Sequence, residues 1–342
     1  MPAPDLGAKV AFLSDPRNHS FAPRTVTVIE THMSWVFLTE AHAYKLKKAM
    51  RLDGHDLTRV EVREAQCRNE VELNRRLTRG IYLGVLPLTL NARDDLQFDL
   101  GGKVVDWLVW MRRLPEARML DRLIATAGVE IGDLRACIAM LGRFYRGQPP
   151  EPLTTADFRV RLAARIAENS AVLGIPESSL APADVQRIAA GQRDFLARHT
   201  DVFDRRVIDI RVVEGHGDLR PEHVCLESPP QVIDCLEFSR ELRIVDPAEE
   251  LGFLALECER LGAPQLHAVI FEAYREATGD RPCDSLVHFY QSLHACVRAK
   301  LAVWHLREPG TAGTSKWTER ARDYMRLADR HLVAAQSPLT LA

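Results

Sequence analysis

The hydrophobic pattern of the chain changes period after the first third, and this change limits the fold classes open to it. Up to residue 111, apolar residues recur mainly at every second position, as in strands with a buried face. The strand-like runs cover residues 24–30, 35–39, 43–48, 81–90 and 104–111. One helical segment, residues 58–78, lies between the third and fourth runs and opens with a Thr58–Glu61 capping-box pattern. The first third is therefore predicted to be a small antiparallel sheet with one long helix.

Beyond Arg112 the apolar positions follow the helical period. Helices are predicted over residues 115–126, 130–145, 155–173, 182–199, 247–261, 264–277, 285–306 and 314–335. Strand character returns at residues 207–213, 224–226 and 232–235. The sequence thus predicts an α+β protein with two lobes: a sheet-based N-terminal lobe of residues 1–111 and a larger, mainly helical C-terminal lobe of residues 112–342.

Charge and cysteine content exclude several classes of protein. The 47 acidic and 45 basic residues nearly balance, which argues against a polybasic nucleic-acid binder. No run approaches the roughly 20 apolar residues of a membrane helix, and the N-terminus lacks an apolar signal core. The seven cysteines form no CxxC pair, a distribution typical of a reducing compartment. We therefore expect a cytoplasmic protein that binds neither nucleic acid nor membranes.

The segment from residue 213 to residue 247 carries the clearest chemical pattern. A His-Gly-Asp-Leu run places Asp218 before a predicted strand, and Asp234 ends the next strand. Two carboxylates at the ends of a tight hairpin region can converge on one point. Phosphoryl transfer needs such a pair, because one carboxylate orients the acceptor hydroxyl while the other holds the metal of the nucleotide. Gly-Asp is also a common turn dipeptide, so an ordinary turn stays open as an alternative.

The order of these features resembles that of a kinase superfamily. HGDLRPEHV and VIDCLEF are similar to the catalytic and metal-binding loops of aminoglycoside phosphotransferases and choline kinases, whose fold is similar to that of protein kinases. About residues 20–310 resemble, more narrowly, the kinase-like half of bacterial bifunctional aminoglycoside phosphotransferase/ATP-binding proteins. Those proteins often carry a P-loop domain after this half. No G-x-x-x-x-G-K-[ST] motif occurs here, so we expect a stand-alone kinase-like chain.

The resemblance implies roles for residues of this segment. Asp218 matches the catalytic aspartate that takes the proton of the acceptor hydroxyl, and Asp234 matches the aspartate that binds Mg²⁺. His223 stands where the superfamily usually has a metal-binding asparagine. Imidazole suits Mn²⁺ better than Mg²⁺, so three readings stay open: a borderline metal, a phosphate contact, or a lost second metal site with weak activity. His216 is expected to shape the loop by hydrogen bonding.

Lysine is scarce in this chain, yet three of its seven lysines are Lys45, Lys47 and Lys48. In a strand, Lys45 and Lys47 share one face and Lys48 takes the other. The resemblance assigns Lys45 to the α- and β-phosphates, with Lys47 as the alternative, and assigns Glu70 of the following helix as the partner of that lysine. A solvated cluster on an edge strand is the open alternative.

Two further places in the N-terminal lobe are expected to contact the nucleotide. The turn of residues 31–34 lacks a glycine-rich motif, so its phosphate contacts would come from backbone N–H groups and the hydroxyl of Thr31 or Ser34. The backbone of Trp110 and Met111 would receive the adenine edge, although an ordinary buried strand explains these residues as well. Asp246 resembles a structural aspartate of the family, and an N-cap on the next helix is its simpler explanation.

Together, these features predict a kinase that transfers the γ-phosphate of ATP or GTP, with Mg²⁺ or Mn²⁺, to a hydroxyl of an unidentified small molecule. The alternative is a nucleotide-binding pseudokinase or regulatory module, suggested by His223 and by the missing glycine-rich loop. An interaction scaffold is a third reading, for which the sequence shows neither an exposed heptad pattern nor a basic stripe.

Overall fold

The computed structural model describes residues 4–19, 21, 23–52, 55–98, 101–306 and 315–337. The chain divides into two compact units. The first unit comprises Met1–Asp133 and Glu222–Arg240, and the second comprises Leu134–Pro221 and Glu241–Ala342. A large antiparallel sheet lies in the first unit and most helices lie in the second, which confirms the α+β class. The lobe boundary after residue 111 stays a prediction.

The strands and helices of the described residues are as follows. The strands are β1 Thr27–Glu30, β2 Ser34–Leu38, β3 His42–Lys47, β4 Arg51–Leu52, β5 His55–Asp56, β6 Tyr82–Leu90, β7 Leu96–Gln97, β8 Lys103–Arg112, β9 Val213–Glu214, β10 Val224–Cys225, β11 Gln231–Val232 and β12 Ile244–Val245. The helices are α1 Leu6–Ser14, α2 Val60–Arg75, α3 Leu120–Ala125, α4 Ile131–Arg146, α5 Thr155–Leu173, α6 Pro182–Arg198, α7 Thr200–Ile208, α8 Pro247–Arg260, α9 Leu266–Thr278, α10 Asp284–His305 and α11 Ser315–Ala335. Within these ranges, no helix has both the length and the apolar character required to cross a bilayer.

The sheet of the first unit places strand β3 in its interior. Six strands pair in the order β1-β2-β3-β8-β6-β7, so β3 is hydrogen-bonded on both edges. Its side chains alternate between two covered faces. Tyr44 and Leu46 pack with Leu13 of α1, whereas Ala43 packs on the other face with Cys67 of α2. The lysines of β3 that share the Ala43 face therefore point toward α2, which rules out a solvated edge-strand cluster for them.

Helix α1 is not predicted by the sequence pattern, and a buried ion network holds it. Lys9 Nζ donates to Asp106 Oδ2 at 2.7 Å. Arg63 of α2 donates to both oxygens of the same carboxylate, at 2.7 and 2.9 Å. Because each buried charge has an opposite partner, the desolvation cost of placing them inside the unit is offset.

The start of α2 differs from the sequence prediction. The helix begins at Val60, and the preceding Arg59 makes no side-chain capping bond. Asp56 instead accepts hydrogen bonds from the backbone N–H and the hydroxyl of Thr58. The predicted Thr58–Glu61 capping box is therefore wrong, because a local turn uses the threonine hydroxyl.

The second unit is built around α8 and α10. Residues Pro247–Cys258 of α8 are buried, and α10 contacts α5, α8 and α11. Strands β9 and β12 pair with each other. Strand β9 leads into the loop after residue 214, and strand β12 leads into α8. The predicted strand over residues 207–213 is wrong for most of its length, since α7 continues to Ile208. Arg206 explains the helical conformation, because its buried ion pairs fix the last turn of α7.

Three histidines of the second unit form a cluster beside Glu259. The Nδ1 atoms of His288 and His331 lie 3.1 Å apart, and His331 Nε2 lies 3.0 Å from Glu259 Oε2. The ring of His267 stacks on that of His288, with centroids 5.8 Å apart. Burial, reinforced by the neighbouring imidazoles, lowers the pKa of His267 to about 4 and lowers that of His288, although Asp284 and Glu259 oppose the effect. These two histidines are therefore neutral in the folded protein at pH 7.

We expect the free energy of unfolding to fall as the pH drops from about 6.5 to about 4. The unfolded His267 titrates near pH 6.5 and the folded one near pH 4, so the unfolded state binds more protons within this window. The expected loss at pH 5 is on the order of 1–2 kcal/mol. Urea unfolding at pH 7.5 and pH 5 measures this loss of unfolding free energy. His267→Gln should flatten the pH dependence, while His32→Gln at an exposed position should not; equal pH dependence in H267Q and the unmodified protein would contradict this account.

Candidate functional site

Two lysines of β3 share one buried glutamate of α2. Lys45 Nζ donates to Glu70 Oε1 at 2.9 Å, and Lys47 Nζ donates to Glu70 Oε2 at 2.6 Å. Alternate residues of a strand lie on the same face, roughly 6–7 Å apart, so one carboxylate with two oxygens can reach both. The contact between Lys45 and Glu70 is the one predicted from the sequence. Lys47 is a second partner of Glu70, and which of the two lysines contacts the phosphates stays a prediction.

Asp234 joins this lysine pair from the β10–β11 hairpin. The hairpin continues past β11, with Ile233 N–H donating to the His223 carbonyl at 2.9 Å. Asp234 lies two residues beyond β11, in the left-handed region with a φ of 63°. Its Oδ1 accepts from Lys45 Nζ at 2.6 Å, and its Oδ2 lies 3.5 Å from His223 Nε2. The structure thus brings Lys45, Glu70, Asp234 and His223 together.

Opposite charges keep Lys45, Asp234 and Glu70 ionised despite burial. Burial alone lowers the pKa of Lys45, but Asp234 and Glu70 outweigh it and hold that pKa well above its usual value. Burial alone raises the pKa of Asp234, and Lys45 with His223 reverses this and holds it well below the usual range. The pKa of Glu70 is lowered in the same way, burial being outweighed by Lys45 and Lys47. Lys45, Asp234 and Glu70 therefore present fixed charges and do not titrate near neutrality.

Glu237 belongs to the same set and was missed by sequence reasoning. Its carboxylate accepts a hydrogen bond from Lys47, and its backbone carbonyl accepts one from Asn69 of α2 at 2.6 Å. The available signal was its position three residues after Asp234 in the motif VIDCLEF. Lys47 is thus held between two carboxylates, which leaves Lys45 as the lysine bonded to Asp234.

The donor set at Asp234 fits a metal that arrives with a nucleotide. The Asp234 side chain is 42% accessible, and its Oδ2 and His223 Nε2 are spaced so that both can contact one ion. In the part of the chain that the structure describes, no group of three or more His, Cys, Asp or Glu side chains is arranged to hold a metal. Mg²⁺ in kinases typically takes only one or two protein carboxylates and completes its shell with phosphate oxygens and water.

Asp218 lies in the second unit, on a loop that a buried glutamate holds. The backbone N–H groups of His216 and Gly217 donate to Glu250 Oε1 at 2.9 and 2.6 Å. Tyr145 donates to the other oxygen of Glu250 at 2.6 Å. Burial raises the pKa of Glu250, although these donors oppose the shift. Glu250 was not assigned from the sequence, where it is one of two adjacent glutamates without a motif of its own.

Hydrogen bonds also set the position of Asp218 within this loop. Its backbone N–H donates to His216 Nδ1 at 3.2 Å, so His216 shapes the loop by hydrogen bonding, as predicted. Its Oδ2 accepts from Arg220 Nε at 3.0 Å. Asp246, at the start of α8, accepts from Ala248 N–H at 2.9 Å and is the predicted N-cap.

The turn before β2 uses most of the groups expected to contact phosphate. Ser34 N–H donates to Thr31 Oγ1 at 2.9 Å, and the Thr31 hydroxyl donates to the Ser34 carbonyl at 2.9 Å. Ser34 lies opposite Lys47 in the sheet register, on the lysine face, but it is buried. The structure therefore does not present these groups of Thr31 and Ser34 to a ligand, and the assignment of Ser34 stays a prediction.

Trp110 and Met111 lie on opposite faces of the sheet. Met111 pairs with Ala43 and shares the lysine face, whereas Trp110 pairs with Tyr44 and packs on the α1 face. Both residues are inside β8, which is hydrogen-bonded to β3 and β6. Their backbone lies within the sheet, and the predicted backbone contact of these residues to adenine stays a prediction. The structure brings the Met111 side chain, and not Trp110, to the lysine face.

Fold comparison finds that several solved structures of kinases share the fold of this chain. A choline/ethanolamine kinase family protein from Mesorhizobium loti aligns with a TM-score of 0.56 and 16% identity, covering 96% of this chain and 99% of that chain. A choline kinase from Cryptosporidium parvum Iowa II gives 0.57 and 8%, covering 96% and 95%. The GDP complex of aminoglycoside 2'-phosphotransferase-IIIa gives 0.53 and 11%, covering 96% and 99%. The chain has the fold of these small-molecule kinases, which confirms the predicted resemblance at the level of fold.

Sequence comparison finds relatives without an assigned activity. No family model matches the chain. Uncharacterized proteins of Mycobacterium tuberculosis and Mycobacterium bovis are each 33% identical to it over 280 residues, which are 81% of this chain. The matched region is 54% of the length of those relatives, so the chain spans about half of each of them.

Proposed function

We propose that this protein is an ATP- or GTP-dependent phosphotransferase acting on a hydroxyl group of a small molecule. The observation that carries the proposal is the bonding of Lys45 to both Glu70 and Asp234, at 2.9 and 2.6 Å. In a fold shared with small-molecule kinases, this set supplies a fixed cation for the phosphates and a carboxylate for their metal. One fold neighbour is a GDP complex, which supports a nucleotide as the phosphate donor.

In the proposed reaction, Asp218 orients the acceptor hydroxyl and takes its proton. The acceptor oxygen bonds to the γ-phosphorus as the bond from that phosphorus to the β–γ bridging oxygen breaks, and the nucleoside diphosphate leaves. Lys45, oriented by Glu70, neutralises phosphate charge. Mg²⁺ or Mn²⁺, when bound with the nucleotide at Asp234 and His223, supplies further positive charge to the phosphates.

Nucleotide binding by Lys45 tests the core of the proposal. Lys45→Ala is expected to weaken ATP binding at least about tenfold, because a charged hydrogen-bond donor to phosphate is lost. The metal- and ATP-dependent thermal shift of the full chain measures it. Lys316→Ala is the matched control, since Lys316 lies over the Trp317 ring on α11 and has no assigned role. The proposal is wrong if the unmodified protein shows neither a thermal shift nor turnover with ATP or GTP in the presence of either metal.

A nucleotide-binding pseudokinase is the second candidate function, and the observation that favours it is the position of His223. Its imidazole lies 3.5 Å from Asp234, where an oxygen donor would suit Mg²⁺ better. We expect His223→Asn to raise turnover with Mg²⁺ relative to turnover with Mn²⁺. Steady-state assays with each metal measure the ratio. If H223N binds ATP and Mg²⁺ but neither it nor the unmodified protein turns over, the pseudokinase reading is the correct one.

A further inference from the structure

Two adjacent glutamates of α8 connect the Asp218 loop to a group of basic side chains. Glu250 holds the loop through the N–H groups of His216 and Gly217. Glu249, one residue earlier, accepts hydrogen bonds from Arg165 of α5 and from His294 of α10, the latter at 2.9 Å. The same turn of one buried helix therefore fixes the positions of both the loop and these basic residues.

The basic group continues along α10. His294 and Arg298 are one helical turn apart on that helix, and Asp218 interacts electrostatically with both of them. Arg298 Nε lies 3.3 Å from Glu257 Oε1, so Arg298 also forms an ion pair with a glutamate of α8. We call Arg165, His294 and Arg298 the basic cluster.

In this cluster the two arginine side chains are more accessible than their carboxylate partners. The side chain of Arg165 is 30% exposed against 2% for Glu249, and that of Arg298 is 15% exposed against 0% for Glu257. Burial alone would raise the pKa of Glu249, but Arg165 and His294 lower it to about 2, so it stays ionised and engaged. The accessible charges of the basic cluster are therefore its guanidinium groups, and its carboxylates are buried.

We propose that the acceptor carries an anionic group, a carboxylate or a phosphate, which Arg165 binds while the acceptor hydroxyl faces Asp218. This inference rests on the proposed phosphotransferase function and names its substrate class, that of hydroxy acids and sugar phosphates. Guanidinium groups match the geometry of both anions through paired N–H donors. They repel polyamines and quaternary ammonium compounds, since bringing two like charges together near a protein surface opposes binding.

Ligand binding to the full chain tests this inference. The probes are gluconate and glucose 6-phosphate as anions, and kanamycin and choline as cations, titrated calorimetrically at low salt. We expect the anions to bind more tightly than the cations, and Arg165→Gln to weaken anion binding by about tenfold. Arg159→Gln is the matched control, because Arg159 also lies on α5, is paired with Asp204 and is 29% exposed.

Several outcomes overturn the inference. These are tighter binding of kanamycin or choline than of both anions, no binding of either anion at about 10 mM, or equal anion affinities in R165Q and R159Q. The affinities of the anionic and cationic probes are compared on the unmodified protein. This comparison therefore tests the acceptor class even if R165Q does not fold. ATP binding is measured on the same protein. Bound ATP without anion binding rejects only the acceptor class, whereas anion binding without phosphate transfer rejects the proposed function.

Discussion

Asp218→Asn is expected to slow phosphate transfer by roughly 10²- to 10⁴-fold, because a positioned general base contributes about that factor. Asparagine keeps the size and part of the hydrogen bonding of aspartate, including an acceptor for Arg220 Nε, which now lies 3.0 Å from the carboxylate. The backbone bond to His216 Nδ1 does not depend on the side chain and should persist. Coupled-enzyme assays of nucleoside diphosphate release, with an acceptor from the binding experiment, measure the effect.

The controls for this variant separate chemistry from folding and binding. The ATP-dependent thermal shift of D218N should equal that of the unmodified protein, because Asp218 is assigned to the acceptor and not to the nucleotide. Asp201→Asn, at an exposed position of α7, should keep full turnover. Turnover of D218N within a factor of about three of the unmodified protein would remove Asp218 from the mechanism.

Arg206→Ala is expected to cause the largest loss of stability, about 3–5 kcal/mol. Arg206 donates to both oxygens of Asp246 and to both oxygens of Asp280, each at 2.7 Å. Both carboxylates are buried, and Tyr290 and Tyr274 contribute further hydrogen bonds to them at 3.1 and 2.8 Å. Removal of the guanidinium leaves two buried carboxylates without the cation that bridges them, and among the described residues only Asp280 keeps an ion pair, with Arg211 at 3.9 Å.

Urea unfolding of R206A at neutral pH measures this loss. Arg205→Ala is the matched control, because Arg205 is the preceding residue of α7 and is exposed; its effect should stay within about 0.5 kcal/mol. Equal midpoints for the two variants would show that the network does not stabilise the fold. Since Asp246 caps α8, which carries Glu250, R206A should also reduce turnover more than it reduces ATP binding.

The sequence predicts the set around Lys45 well and the loop around Asp218 only in part. Lys45, Glu70 and Asp234 lie in separate segments whose pattern resembles that of known kinases, and the structure brings them within hydrogen-bond distance. The sharing of Glu70 by Lys47 could not be foreseen, because a period of two places both lysines on one face without saying which one the glutamate reaches. Glu250 holds the loop by accepting hydrogen bonds from backbone N–H groups that are distant in sequence. No local spacing of residue types predicts such a contact.

Other differences have local physical causes. Helix α1 escapes prediction because its buried Lys9 is a charged residue on the face that packs against the sheet, which weakens the apolar period. The alternating apolar residues at 207–213 favour a strand, but the ion pairs of Arg206 keep residues 207 and 208 in α7. Strand β8 continues to Arg112, so adjacent residues within it face opposite sides of the sheet. Trp110 and Met111 therefore cannot both lie on the lysine face.

The backbone conformation at Asp234 allows selection for folding to be distinguished from selection for phosphate transfer. A φ of 63° is tolerated mainly by glycine, asparagine and aspartate, and it disfavours alanine and β-branched residues. A library at this position selected for folded protein should therefore retain glycine, asparagine and aspartate. The same library selected for phosphate transfer should retain aspartate, the one of these three with a carboxylate. Asparagine at position 234 is consequently the substitution that removes the charge while it keeps the conformation.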